Sequence, residues 1–307
     1  MTWTLKDAPS LSGCLAVVTG ASGGLGLDTA LGLASKGATV VVAARDPIKG
    51  RAVLPKLGKR AHFELLDLAD LSSIEAFGRR MVEAGQPVDI LVNNAGLAAP
   101  PKRSMTRDGF EVQFGTNFLG HFALTGRLLP LLRKADGARV VSISSLAHKG
   151  VKVDFDDLMS ERRYSPVKAY GLSKLADLIF ARELQRRSDA NGWQLTSVAA
   201  HPGLAMTELT KSRPGMPGHR LNGLVDFVSP YIGQSSAAGA LITLHAATSP
   251  DVLPGGYYGP DGFGELKGQP RLARSSEESN DPVVADRLWR VAESLTTVVY
   301  EKHGGIG

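Results

Sequence analysis

Six short apolar runs, most of them followed by a helical stretch, fill the first two hundred residues: Leu15–Thr19, Thr39–Ala43, His62–Leu66, Ile90–Asn93, Arg139–Ile143 and Leu195–Ala199. Several are apolar almost throughout, as a strand covered on both faces of a parallel sheet must be. After the first run, Leu27, Ala30, Leu31 and Ala34 share a helical face at i, i+3, i+4, i+7. Helical patterns follow at Leu71–Ala84 and Phe118–Arg133. A longer one spans Tyr170 to Arg187, with Leu172, Leu175, Ala176 and Ile179 on its core face. This alternation predicts an α/β fold, a doubly wound parallel sheet in a three-layer α/β/α arrangement with right-handed crossovers. Ligands of such a sheet bind outside the carboxyl ends of its strands, so functional residues are expected directly after strands.

The 307 residues fit one large domain that needs no disulfide or metal staple. Within residues 1–307 we expect an irregular leader at 1–10 and a partly apolar excursion at 203–230 that covers a substrate. A C-terminal extension at 254–307 completes the domain. The excursion mixes Leu204, Met206, Leu209, Met216 and Phe227 with several Gly and Pro. The run PGGYYGPDGFGELKGQP from Pro254 to Pro270 reads as turns, and Asp281–Thr297 as a terminal amphipathic helix. No repeat and no linker marks a second domain.

The chain carries a net charge of +5, but its basic residues are dispersed. Pairs such as Arg79-Arg80, Arg162-Arg163 and Arg186-Arg187 have acids nearby and read as solvated helix faces, so no nucleic-acid partner is expected. An anionic cofactor is a better use for some of this charge. The single cysteine, Cys14, excludes an internal disulfide and suits a reduced, cytoplasmic setting. The N-terminal segment MTWTLKDAPSLSG lacks the apolar core of a secretory signal, and no stretch of eighteen apolar residues predicts a membrane span. His121, His148 and His201 have no ligand partners at metal spacing and are read as structural or surface histidines; no metal is expected.

The stretch TGASGGLG, Thr19 to Gly26, supports two readings. As G-x-S-x-G it presents Ser22 like a hydrolase nucleophile, with His201 as a candidate base. That elbow, however, follows an interior strand and comes after its oxyanion segment, whereas Ser22 follows the first strand with only the leader before it. As a glycine-rich turn between strand and helix it cradles a dinucleotide pyrophosphate. Gly20 permits the tight turn, Gly24 the close backbone approach and Gly26 the packing of helix on sheet. The helix N-terminus adds free N–H groups and partial positive charge.

The spacing T-G-x-x-x-G-x-G resembles that of the short-chain dehydrogenase/reductase family, and further segments match in order. Asp67 stands where the family's adenine-side acid stands. Asn93-Asn94-Ala95-Gly96 matches NNAG, Ser145 follows the fifth strand in VVSISS, Tyr170-Gly171-Leu172-Ser173-Lys174 matches YxxxK, and Pro202-Gly203 matches the PG turn. The resemblance runs from Leu11 to Thr248 and implies a Rossmann fold that binds NAD(H) or NADP(H). On the cofactor it implies Gly20, Ser22, Gly23, Gly24, Leu25 and Gly26, then Asp67, Leu68, Asn94, Ala95 and Gly96, with Tyr170, Lys174, Pro202 and Gly203.

Tyr170 and Lys174 are four apart and so share one helix face. A free phenol, with a pKa of about 10, is a poor proton shuttle at neutral pH, and a nearby ammonium favours the phenolate. The resemblance makes Tyr170 the general acid/base, with Lys174 stabilising its phenolate and bonding the nicotinamide ribose. It makes Ser145 the donor that orients the substrate oxygen, Ser144 being its neighbour. Asn117 matches the family's helix asparagine, which supports a water-linked proton path to the lysine. Ser145, Leu146, Leu204 and Met206 are expected to line the substrate pocket.

At the end of the second strand an NAD site places a carboxylate for the ribose 2′-hydroxyl. Here VVVAARD offers Ala44 and then Arg45, an arginine suited to a 2′-phosphate, and Asp46 comes one place too late. NADP(H) is therefore expected, with NAD(H) the alternative; the family's second NADP mark, a basic residue inside the glycine motif, is replaced by Gly23. Ser145 and Tyr170 are 25 positions apart, against about a dozen in most of the family. That spacing, with SSLAH before it and YGLSKLA after it, resembles the retinol-dehydrogenase-like branch, which includes WW-domain oxidoreductases and protochlorophyllide reductases. The expected activity is hydride transfer between NADP(H) and a lipophilic ketone, aldehyde or secondary alcohol. A homodimer through the helices of Asn117 and Tyr170 is a further implication. A nonenzymatic NADP(H) sensor of the same fold is the alternative, disfavoured because Tyr170 and Lys174 are both kept. An extended-type epimerase and the Ser22 hydrolase rank below it.

Overall fold

The computed structural model describes residues 2–204 and 234–300. Its eight strands form one sheet in the order β3-β2-β1-β4-β5-β6-β7-β8. They are β1 (Leu15–Thr19), β2 (Thr39–Ala44), β3 (Ala61–Leu65), β4 (Ile90–Asn93), β5 (Arg139–Ile143), β6 (Thr196–Ala200), β7 (Tyr257–Pro260) and β8 (Pro270–Leu272). Every neighbouring pair is parallel except β7 with β8, which is antiparallel. The winding reverses between β1 and β4, where Ala16 pairs with Ile90, and that switch point opens a crevice at the carboxyl ends.

Alternate residues of the strands feed two cores. Leu15, Val17, Leu91 and Val140 join one apolar layer, and Ala16, Val18, Val92 and Val141 join the other. The first layer is closed by α4 (Leu71–Ala84), α5 (Gly120–Leu132), α6 (Pro166–Asn191) and α8 (Pro282–Thr296). The second is closed by α1 (Gly24–Ser35), by the short α2 (Pro47–Ala52) and α3 (Leu54–Leu57), and by α7 (Ser236–Thr248). The expected core face of α6 is buried: Leu172, Leu175, Ala176 and Ile179 all lie in the first layer.

Two sequence expectations need correction. In α1 the buried residues are Leu25, Gly26, Thr29, Ala30, Gly32 and Leu33, whereas Leu27, Leu31 and Ala34 are only partly buried. The face is rotated because glycine makes the contact: a Cβ at Gly32 would sit 2.5 Å from Leu244 Cδ1 of α7. The Pro254–Pro270 stretch, read as turns, contains β7, whose Tyr257 and Tyr258 pair with Ala199 and Ala200 of β6. The edge strand β8 starts at Pro270, a residue an edge tolerates because one side of it needs no N–H donor.

The C-terminal segment belongs to the same core. Asp281 caps α8 by accepting from Val283 N and Val284 N. Trp289 stacks on Phe180 with ring centroids 5.8 Å apart and meets Phe122 edge-on at 5.0 Å. The Tyr300 hydroxyl then donates to Phe122 O at 2.7 Å. The chain's own α8 thus packs on α6 and reaches α5 at Phe122, where Tyr300 from the segment after it also packs. At the other end, Trp3 of the leader packs edge-on against His245 of α7.

Candidate active site

β1 ends at Thr19, and Gly20 turns the chain with φ +67, a conformation that favours glycine. At the start of α1, a Cβ on Gly26 would lie 2.5 Å from both Gly20 O and Asn94 Nδ2. Around Gly23, by contrast, no atom comes within 4 Å of such a Cβ, so this side of the turn faces open space. Side chains cap α2 (Asp46), α4 (Asp70), α7 (Ser235) and α8 (Asp281), but the N-cap of α1 is Gly23 and offers none. α3, α5 and α6 also lack a side-chain cap, but at α1 the first N–H groups stand beside the open side of the glycine turn, where an anion can reach them. The open side at Gly23 and the close packing at Gly26 fit a dinucleotide pyrophosphate.

The floor of the crevice is fixed by Thr19. Its hydroxyl oxygen accepts from Asn94 N and Ala95 N, each at 2.9 Å, and lies 2.9 Å from His121 Nε2. His121 Nδ1 is 2.6 Å from Asn117 O, which can only accept, so the ring proton sits on Nδ1. Nε2 is then bare and accepts a hydrogen bond from the Thr19 hydroxyl. Burial pushes the His121 pKa down to about 3, keeping the ring neutral. Asn94 Nδ2 also donates to Thr19 O at 2.8 Å. The NNAG loop is thereby tied to the end of β1.

Asn117 lies in a π-helical turn, Phe114–Leu119, a form that is frequent at functional sites. Its Oδ1 accepts from Leu97 N at 2.9 Å, and its Nδ2 donates to Leu97 O and Ser173 Oγ at 3.0 and 2.9 Å. The side chain clamps the segment after NNAG onto α6. Gly96 lies between Asn117 and Lys174, since a Cβ there would meet Asn117 Oδ1 at 3.1 Å and Lys174 Nζ at 3.7 Å.

The two serines after β5 face different ways. Ser144 is buried and donates to Lys174 O at 2.7 Å. Ser145 is half-buried and accepts from Ala147 N at 3.3 Å, opening a single 3-10 turn. Gly171 lets α6 come close to that turn, because a Cβ there would lie 2.8 Å from Ala147 O. On α6 the Lys174 ammonium lies 5.9 Å from the centre of the Tyr170 ring. Lys174 Nζ donates to Ile143 O at 2.8 Å and to Asp177 Oδ2 at 2.9 Å. Burial opposes its charge, but the fields of Asp177 and Tyr170 prevail and raise its pKa.

These elements enclose a cleft of about 620 Å³. It gathers every residue expected on the cofactor, from Gly20 through Arg45 and Asp67 to Gly203, together with Ser145, Tyr170, Lys174 and Leu204. Leu146 and Asn117 are not among its lining residues, and Met206 falls outside the described residues, as does most of the 203–230 excursion. Lys49, which the sequence reading did not single out, lines the cleft beside Arg45; its signal was the basic residue one helical turn after it. Asp46 Oδ1 is occupied at the start of α2, accepting from Ile48 N and Lys49 N at 2.9 and 3.0 Å.

His201 is fully buried, its Nδ1 accepting from Gly203 N at 3.3 Å and its Nε2 lying 3.5 Å from Glu265. Burial lowers its pKa to about 4 despite that carboxylate. It serves the PG turn rather than Ser22. No group of three or more His, Cys, Asp or Glu among the described residues could hold a metal, and no helix among them is long and apolar enough to cross a membrane.

The family profile described as short chain dehydrogenase matches residues 15–217. Retinol dehydrogenase 12 of Mus musculus is 39% identical over 95% of this chain and 89% of its own length. Polyprenol dehydrogenase of Mus musculus is 40% identical over 94% of this chain and 85% of its own. Among solved structures, an uncharacterised protein from Mycobacterium paratuberculosis shares 38% identity with a TM-score of 0.82, covering 98% of this chain and all of that one. The Pseudomonas aeruginosa RhlG/NADP complex aligns at a TM-score of 0.64 with 26% identity, over 81% of this chain and 94% of that one. With the glycine turn, the NNAG loop and the YxxxK helix meeting in one cleft, the chain belongs to the short-chain dehydrogenase/reductase family, in its retinol-dehydrogenase-like branch.

Proposed function

We propose that the protein is an NADP(H)-dependent oxidoreductase acting on a lipophilic ketone, aldehyde or secondary alcohol. Its family binds a nicotinamide cofactor, which when bound supplies or accepts the hydride. The observation that carries the reading is the joining, in one cleft, of the bare N-terminus of α1 with Tyr170, Lys174 and Ser145.

The chain's own groups divide the work as follows. The N–H groups at the start of α1 hold the pyrophosphate, and Asp67 and Leu68 take the adenine side. Arg45, with Lys49 beside it, meets the 2′-phosphate, while Asp46 is held by its capping bonds. Ser145 Oγ donates to the substrate oxygen and orients it. In reduction the Tyr170 hydroxyl gives its proton to that oxygen; in oxidation the phenolate takes one from the alcohol. Lys174 stabilises the phenolate by its charge and bonds the ribose, and Asn117 holds the loop that backs it. A lipophilic substrate is supported by the names of two relatives, for retinol and polyprenol, and by Leu204 at the cleft.

The test is a panel of hydrophobic ketones, aldehydes and secondary alcohols followed by NADPH absorbance, run in parallel with NADH. Turnover that is faster with NADPH supports the reading. Equal or better use of NADH defeats the cofactor assignment, and no turnover across the panel defeats the substrate class.

A further inference from the structure

Asp177 stands outside the Ser, Tyr, Lys and Asn set that the family supplies, yet it is bound directly to it. Its carboxylate lies 2.9 Å from Lys174 Nζ, one helical turn along α6. Both side chains are withdrawn from solvent, with 6% of Lys174 and 4% of Asp177 exposed. A buried carboxylate is retained only where it is paired, and Lys174 is the one side chain among the described residues that donates to it. Lys174 has three N–H donors; one goes to Asp177 and one to Ile143 O, which leaves one for the cleft.

We propose that Asp177 is a positioning residue for the proton-transfer pair, tethering Lys174 and offsetting part of its charge so that Tyr170 holds its proton more firmly than beside a lone lysine. The inference rests on the functional reading above and deepens it. The charge balance around the pair supports it. From β5 the contact is the Ile143 carbonyl, which carries no ionisable group. From α5 the near group is His121, kept neutral by burial, and from β7 it is Tyr257, whose phenol burial pushes far up. Neither changes charge near neutral pH. Burial raises the Asp177 pKa against the pull of Lys174, and its carboxylate, 2.9 Å away, is the anion nearest the ammonium. The sign follows: a negative charge beside the pair disfavours a second one on Tyr170, and its removal favours the phenolate.

The test reads Tyr170 directly. Tyrosinate absorbance is titrated in the full chain, and the Tyr170 component is isolated by subtracting the Tyr170→Phe variant. Asp177→Asn keeps an acceptor for Lys174 and removes the charge; the Tyr170 midpoint is expected to fall by about one pH unit. Asp177→Glu returns the carboxylate and is expected to return the midpoint. Should Asp177→Asn fail to fold, the smaller uncharged Asp177→Ser is read in the same way. A midpoint that stays in place or rises in the uncharged variant overturns the proposal, since a merely structural ion pair would leave it unmoved. The titration needs no turnover, so absent hydride transfer would strike the functional reading and leave this result standing.

Discussion

The hydroxyl of Thr19 is 2.9 Å from Nε2 of His121, and through that contact the last residue of β1 holds both backbone N–H groups of Asn94 and Ala95. Thr19→Val keeps the shape and removes the acceptor, leaving the Ala95 N–H unpaired while Asn94 N keeps Val92 O at 3.0 Å. We expect a loss of about 1–3 kcal/mol in stability and weaker NADP(H) binding, read by urea unfolding and by fluorescence titration. An unchanged midpoint and an unchanged Kd would show that the loop is held by other contacts.

Arg45 and Lys49 make the cofactor choice testable in one comparison. In Arg45→Ala, kcat/KM with NADPH should fall by about one to two orders of magnitude, the worth of a charge-assisted hydrogen bond, while NADH changes little. An equal fall with both cofactors would place Arg45 in the fold rather than at the 2′-phosphate.

Trp289 anchors α8 through Phe180, Phe122 and the Arg187 guanidinium, which lies 4.4 Å from its ring centre. Trp289→Ala should cost about 3–5 kcal/mol. Because α8 packs on α6 and the Val298–Tyr300 segment after it packs on α5 at Phe122 and Gly126, pairing of two chains through those surfaces would have to displace this C-terminal segment. Sedimentation of the unaltered protein is therefore expected to return one chain of 32.5 kDa. A stable dimer whose exchange protection covers α5 and α6 would contradict this.

Asp70 caps α4 and bonds Arg107 at 2.8 Å; the Ser72 hydroxyl bond, chief among the contacts outweighing burial, lowers its pKa to about 2. A carboxylate depressed on folding stabilises the native state above its unfolded pKa of about 4 and loses that contribution as pH falls through the folded value. Asp70→Ala should lower stability by about 1 kcal/mol at pH 7, and the gap from the parent should narrow between pH 4 and 2. A gap that persists at pH 2 would mean that the cap acts through packing and not through charge.

What the sequence disclosed and what it withheld have physical causes. The bounds of Leu15–Thr19, Ile90–Asn93 and Arg139–Ile143 were legible because each strand carries an unbroken apolar run, Leu15–Val18, Ile90–Val92 or Val140–Val141, that is buried on both faces. β7 was not, because its four residues include a glycine and a proline, and Gly259 is there to make room for the His201 ring. The face of α1 was misread because Gly26 and Gly32, where neighbouring atoms come closest, and the buried Thr29 add nothing to hydrophobic periodicity. Within the cleft, residues tied to backbone turns at strand ends were legible as motifs. Asp177 was not, since within KLADL it reads as any helical acid; only the fold shows that it is buried against Lys174.

The proposed function turns on the role of Tyr170 as the group that exchanges the proton at the substrate oxygen. Its most direct test is single-turnover oxidation of NADPH by a hydrophobic ketone in Tyr170→Phe, with the NADPH Kd measured on the same preparation. The expected rate is lower by about two to four orders of magnitude, with the Kd unchanged. A Tyr170→Phe protein that binds NADPH normally and reduces the ketone at the parent's rate would contradict it.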